Sequence, residues 1–144
     1  MTTRSIPHLI IGFGKAGKTL AADLAKHGES VILVEQSAAM YGGTCINIGC
    51  IPSKLLLVEG EKSARLTDKS AAFQAAMQRR EQLTSALRAA NYNKLATIPG
   101  VEILTGTARF LSPNVVEVLT KDGACKIEAE RIYINTGARP ATLA

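Results

Sequence analysis

The chain has 144 residues, 47% of them apolar, and three cysteines. That is enough for one domain with a core and too few cysteines for a small secreted disulfide scaffold. Its net charge of +5 raises nucleic-acid binding, with Arg79, Arg80, Arg88 and Lys94 sharing a basic helical face. Few aromatics, no nucleic-acid motif and acidic residues among the basic ones make a solvated helix surface the simpler account. No apolar run is long enough to span a membrane, and Met1 to Pro7 lacks the apolar core of a signal peptide, so the expected compartment is the cytoplasm.

His8-Leu9-Ile10-Ile11 reads as a short strand and is followed at once by Gly12-Phe13-Gly14-Lys15-Ala16-Gly17, a G-x-G-x-x-G string. From Lys18 to His27, Leu20, Ala21, Leu24 and Ala25 recur at helical spacing, and Gly28 supplies a stop. Val31-Ile32-Leu33-Val34 is the next strand and ends at Glu35. This β-α-β unit carries its glycines at the first turn, where Gly12 makes the turn, Gly14 admits a pyrophosphate to the backbone and Gly17 lets helix and strand close up. The helix start offers free amides to phosphate. Glu35 is placed to accept hydrogen bonds from a ribose, which suits FAD or NAD better than NADP. Lys15, Ala16 and Gln36, beside the glycines and the acid, complete this candidate cofactor set, although exposed surface lysines are the plainer account of Lys15 and Lys18.

The next stretch is Gly42-Gly43-Thr44-Cys45-Ile46-Asn47-Ile48-Gly49-Cys50-Ile51-Pro52-Ser53-Lys54. Five residues of regular helix would hold two Cα atoms roughly 8–9 Å apart, whereas a disulfide needs less than about 7 Å. A bridge between Cys45 and Cys50 therefore requires a distorted helix start, and Gly49 and Pro52 fit that demand. Thiols at a helix amino end are also expected to ionise more readily. Two buried structural thiols, or a pair that holds a soft metal without redox chemistry, are the plainer alternatives.

Beyond Lys54 the helix continues through Leu55-Leu56-Leu57-Val58. A second helix is predicted from about Ser70 to Leu95, with Phe73, Met77, Leu83, Leu87 and Ala90 as its core stripe. From Val101 the period changes to that of strands: Val101–Leu104, Gly106–Phe110, Val115–Leu119 and Lys126–Ala129, divided by the turns Ser112-Pro113-Asn114 and Lys121-Asp122-Gly123. These predict a small antiparallel meander beside the parallel sheet, with Cys125 a packed apolar residue. The expected class is α/β, a Rossmann-like FAD/NAD(P)-binding domain of parallel sheet and helices plus the meander.

The glycine fingerprint, Glu35 and the string from Gly42 to Lys54 together resemble the class I pyridine nucleotide-disulfide oxidoreductases, which include dihydrolipoamide dehydrogenase, glutathione reductase and mercuric reductase. Within that family, Ile11 to Leu20 and Met40 to Pro52 look like a bacterial subgroup of reactive-chlorine-resistance flavoproteins, implied to be NADH-dependent copper(II) reductases. The resemblance implies that Gly12, Gly14, Gly17 and Glu35 hold FAD, that Gly43 and Thr44 lie along it, and that Ala108 lies against the adenine. Cys50 would be the flavin-side thiol, Cys45 the thiol that meets the acceptor, and Lys54 a cation near the flavin ring. Asn135-Thr136-Gly137-Ala138-Arg139-Pro140 is similar to the family's second flavin contact through Thr136 and Gly137, with Asn135 where an alanine is usual. The implied relay runs from NAD(P)H through FAD and the Cys45–Cys50 disulfide to a small-molecule disulfide or a soft metal ion such as Cu(II) or Hg(II). Such enzymes are longer and homodimeric, so residues 1–144 are expected to be the FAD-binding, amino-terminal part of one, without its nicotinamide and dimerisation domains. A non-catalytic soft-metal- or dinucleotide-binding module is the alternative.

Overall fold

In a computed structural model, residues 3–138 and 141–142 are described; Arg139 and Pro140 of the second flavin-contact string lie outside them. The elements in order are β1 (Thr3–Ile11), α1 (Lys15–Lys26), β2 (Val31–Glu35), a 3-10 turn (Ala38–Met40), α2 (Thr44–Asn47), α3 (Cys50–Ser63), α4 (Lys69–Ala96), β3 (Val101–Ser112), β4 (Val115–Thr120) and β5 (Gly123–Ile134).

β1 pairs in parallel with β2 on one side and with β5 on the other, and β2 pairs in parallel with β3. β4 then joins β3 and β5 antiparallel and closes the strands into a ring. The meander is therefore not a strip beside the sheet. β3 and β5 are 12 residues each; β3 serves the parallel sheet with residues 101–105 and the meander with the rest, while Lys126, Ile127 and Glu128 of β5 pair with β1 on one edge and β4 on the other. Val101–Leu104 and Gly106–Phe110 are one strand, and its change of partner from β2 to β4 happens without a break.

The ring explains why β1 and β2 bury consecutive apolar residues instead of alternating ones. Leu9, Ile32 and Val34 point inward to Val116, Val118, Ile127 and Ala129. Ile10, Val31 and Leu33 point outward to Phe13 and Ala21 beneath the helices and to Leu95 of α4. Both faces are covered, as parallel strands require. Cys125 packs against the inner cluster, as its apolar reading predicts.

α1 ends as its sequence suggests: His27 and Gly28 donate to the carbonyls of Leu24 and Ala25, both at 3.0 Å, and Gly28 takes φ +86°. α4 begins on an Asp68 cap that accepts from the Ala71 amide at 2.9 Å, within one residue of the predicted start. Its buried face, however, differs from the predicted stripe. Phe73 is 61% exposed and Leu83 37%, while Ala76, Thr84 and Leu95 are buried and Arg88, Asn91 and Tyr92 are half-buried. The helix turns small and polar residues toward α2 and the loop before it, where close backbone approach and hydrogen bonds, rather than bulk, are wanted. No helix among the described residues is long and apolar enough to cross a membrane.

Candidate cofactor cleft and cysteine pair

Three loops meet at the carboxyl ends of β1, β2 and β5, the edge where open α/β sheets bind ligands. The first is the glycine turn after β1. Gly12 has φ +112°, and a Cβ there would lie 2.2 Å from the Asn135 carbonyl oxygen. A Cβ on Gly17 would meet the Gly12 carbonyl at 2.4 Å, so Gly17 is the helix-packing glycine of the fingerprint and sits behind the turn. The second loop brings the cysteine motif against the first. Gly43 has φ +81°, and a Cβ on it would lie 2.6 Å from Gly14 Cα. Only two residues without side chains can make that contact.

The third loop follows β5. Asn135 donates from its backbone amide to Ile11 at 2.8 Å and from Nδ2 to the Gly12 carbonyl at 3.1 Å. The departure from alanine is thus a tie between the two glycine loops. Glu35 closes the other side, its carboxylate accepting from the Phe13 amide at 2.9 Å and the Ser37 amide at 3.2 Å. The acid is held in place by backbone donors and keeps further lone pairs for a ligand.

The loops enclose a cleft of about 620 Å³. Gly12, Gly14, Lys15, Ala16, Glu35 and Gln36 line it, as do Gly43, Thr44, Cys45, Ala108, Thr136 and Gly137. Gly17, Cys50 and Lys54 do not. Ser37, Met40, Ile48, Gly106 and Thr107 also line it, and nothing in their types or spacing marks them beforehand. Gly106 is readable afterwards: a Cβ there would strike the Leu119 carbonyl at 2.6 Å.

The two cysteines belong to different helices. α2 is a single turn of four residues, and the amides of Ile48 and Gly49 both close onto the Thr44 carbonyl at 2.9 and 2.8 Å. The helix breaks there and α3 starts afresh at Cys50, with Pro52 in its first turn, where its missing amide costs nothing. The break supplies the distortion the spacing demands, and it falls between the thiols rather than within one helix start. Both thiols are free and exposed.

The hydrogen bond to Cys50, a little desolvation and the charge of Cys50 push the Cys45 thiol above its usual range, while Lys18 and Lys15 pull it back. The expectation of a readily ionised thiol therefore does not hold at Cys45. A one-turn helix offers little dipole, and the neighbouring sulfur outweighs it. Lys18, whose Nζ donates to Asn91 Oδ1, is itself lowered by burial and by Lys15. No group of three or more potential metal ligands occurs among the described residues. The predicted basic face is largely paired: Arg79 with Glu59 and Arg88 with Glu81, each at 2.9 Å.

A closed β-α-β turn of glycines, an acid at the end of the second strand and a dithiol packed against the first glycine loop define a dinucleotide-binding oxidoreductase fold. The profile of the pyridine nucleotide-disulphide oxidoreductase family matches residues 6–144, and the chain belongs to that family. Among its relatives, the probable pyridine nucleotide-disulfide oxidoreductase RclA of Escherichia coli K12 is 47% identical over 131 residues, 91% of this chain and 28% of that protein. Mercuric reductase of Streptomyces lividans is 37% identical, covering 91% of this chain and 30% of the relative. The structure of the Cu(II) complex of the HOCl-induced flavoprotein disulfide reductase RclA from Escherichia coli superposes with a TM-score of 0.88 at 44% identity, over 97% of this chain and 30% of that one. The fold is thus the Rossmann-like FAD/NAD-binding fold of those proteins, and the chain spans less than a third of the length of the relatives it matches.

Proposed function

We propose that residues 1–144 form the FAD-binding domain of a longer, homodimeric flavin- and dithiol-dependent oxidoreductase of the cytoplasm. It would draw electrons from NAD(P)H and deliver them through Cys45 and Cys50 to a disulfide or a soft metal ion such as Cu(II) or Hg(II). The observation that carries this reading is the contact of Gly43 with Gly14, which joins the cysteine motif to the dinucleotide loop backbone to backbone.

The cleft suits the cofactor. Its floor is glycine, which lets the three loops close against one another, the amino end of α1 opens onto it, and Glu35 presents a carboxylate whose position two backbone amides secure. Gly12, Gly14, Lys15, Ala16, Gly43 and Thr44 would surround the pyrophosphate, with Glu35 and Gln36 at the ribose, Ala108 beside the adenine and Thr136-Gly137 at the second contact. When bound, FAD supplies the chemistry that turns a hydride donor into a source of electron pairs for a disulfide.

The chain's own part is to hold two exposed thiols beside that cofactor. Following the family resemblance, Cys50 is the flavin-side thiol and Cys45 the acceptor-side thiol, with Lys54 one turn along α3 from Cys50. Exposure of Cys45 suits a thiol that must meet an incoming sulfur or metal ion. The names of the relatives support the choice of acceptor: one is a mercuric reductase and another forms a Cu(II) complex.

Equilibrium titration with FAD tests the reading. One flavin per chain is expected in the full-length protein. Stoichiometric binding of a soft metal ion with no flavin uptake would instead favour a binding module.

A further inference from the structure

The predicted apolar stripe of α4 leaves its half-buried polar face without a role. On that face Thr84, Arg88, Asn91, Tyr92 and Leu95 fall at helical spacing, and three of them reach the loop that carries the cysteines. Tyr92 stacks on Tyr41 with ring centroids 4.8 Å apart. Asn91 Cγ stands 3.5 Å from where a Cβ on Gly42 would be. Arg88 donates from Nη1 to Asn47 Oδ1 at 3.3 Å, and its Nη2 pairs with Glu81 at 2.9 Å.

Asn47 lies between the two cysteines and closes their loop. Its Nδ2 donates to the carbonyls of Tyr41 at 3.1 Å and Gly43 at 2.9 Å, across the two glycines with positive φ. A carboxamide can do this only if its nitrogen, not its oxygen, faces the carbonyls. Arg88 decides the matter: a guanidinium only donates, so it takes the oxygen side and turns the nitrogen to the loop. Glu81 in turn fixes the guanidinium. Arg88 does not figure among the charges that act on the Cys45 thiol, so its influence runs through geometry.

We propose that Arg88 is a positioning residue for the cysteine pair: from α4 it orients the Asn47 carboxamide, which holds the 41–43 loop and thereby the approach of Cys45 to Cys50. The inference rests on the reading of the two cysteines as a redox-active pair. The effective concentration of one thiol at the other is steeply dependent on placement, with about a hundredfold loss for an ångström of displacement.

The test equilibrates the full-length protein, carrying Cys125→Ser, with glutathione redox buffers and quantifies the Cys45–Cys50 disulfide by alkylation and mass spectrometry. The unaltered pair should show a two-electron couple that disappears in Cys45→Ser; absence of that couple would overturn the redox reading and this inference with it. Arg88→Met should lower the equilibrium constant for disulfide closure about tenfold, equivalent to about 30 mV for a two-electron couple. Arg88→Lys should not rescue it, since an ammonium cannot bridge Asn47 and Glu81 as the guanidinium fork does. Glu81→Gln should shift the constant less and in the same direction. Arg79→Met, which cuts a different α4 tie, should leave it unchanged. A normal couple that is unaltered in both Arg88 variants, or altered equally by Arg79→Met, would overturn the role of Arg88 while leaving the redox reading intact.

Discussion

The interior of the ring and the loops at the carboxyl ends of its parallel strands are built on opposite principles. Inside the ring, Leu9, Ile32, Val34, Val116, Val118 and Ile127 are each at most 1% exposed, and bulk fills space. At the carboxyl ends, the decisive contacts are made by residues with nothing to fill space: Gly12 against Asn135, Gly17 against Gly12, Gly43 against Gly14. The ring stores stability in side chains, whereas the cleft depends on their absence. Substitutions in the ring and in the cleft should therefore fail in different ways.

The largest effect is expected in the ring. Ile127→Ala should cost about 2–5 kcal/mol of unfolding free energy, measured by urea denaturation, and leave the FAD affinity of the folded fraction unchanged. Gly43→Ala should do the reverse. A methyl group at positive φ and in collision with Gly14 costs about 1–3 kcal/mol, which, if borne by the cleft, weakens FAD about 10–100-fold in a binding titration while the unfolding midpoint moves less than in Ile127→Ala. Equal FAD loss from both variants would erase the distinction.

A subtler difference concerns the thiols. Because the hydrogen bond that the Cys45 thiol donates to Cys50 is the main cause of its raised pKa, Cys50→Ala in the Cys125→Ser background should move the pH profile of Cys45 alkylation to lower pH. Lys18→Met, which removes a charge that favours the thiolate, should move it to higher pH. The smallest effect is expected at the amino ends of the strands, where Arg4 on β1 donates to Glu102 on β3 at 2.8 Å. Its hydrogen bond to Arg4 lowers the Glu102 carboxyl from 4.5. The pair's stability is fully present above the ordinary value and lost as pH falls through the lowered one. Both side chains are about two-fifths exposed, so Glu102→Gln should cost only about 0.2–1 kcal/mol at pH 7, and the difference should vanish in acid.

The parts of the site that follow from backbone demands were legible in the sequence. Glycines at fixed offsets, an acid closing a strand and two cysteines beside a proline each state a geometric requirement on their own. Asn47, Asn91, Tyr92 and Arg88 state none: their roles exist only once α4 lies against the loop at 41–47, and an arginine at helical spacing reads equally well as a solvated charge. The stripe of Phe73 and Leu83 misleads for the same reason. Hydrophobic period identifies the helix, but its partners decide which face is covered, and here α3 and the loop at 41–47 share that role. The exchange of neighbours midway along β3 was hidden because no change of period marks it.

The central claim, that the two thiols have unequal places beside a flavin, is most directly tested by the long-wavelength absorption of the two-electron-reduced full-length protein. A thiolate-to-flavin band is expected in the unaltered protein and in Cys45→Ser, and it should be absent in Cys50→Ser. A band that survives in Cys50→Ser and is lost in Cys45→Ser, the cysteine that lines the cleft, would contradict the account and reverse the roles of the pair.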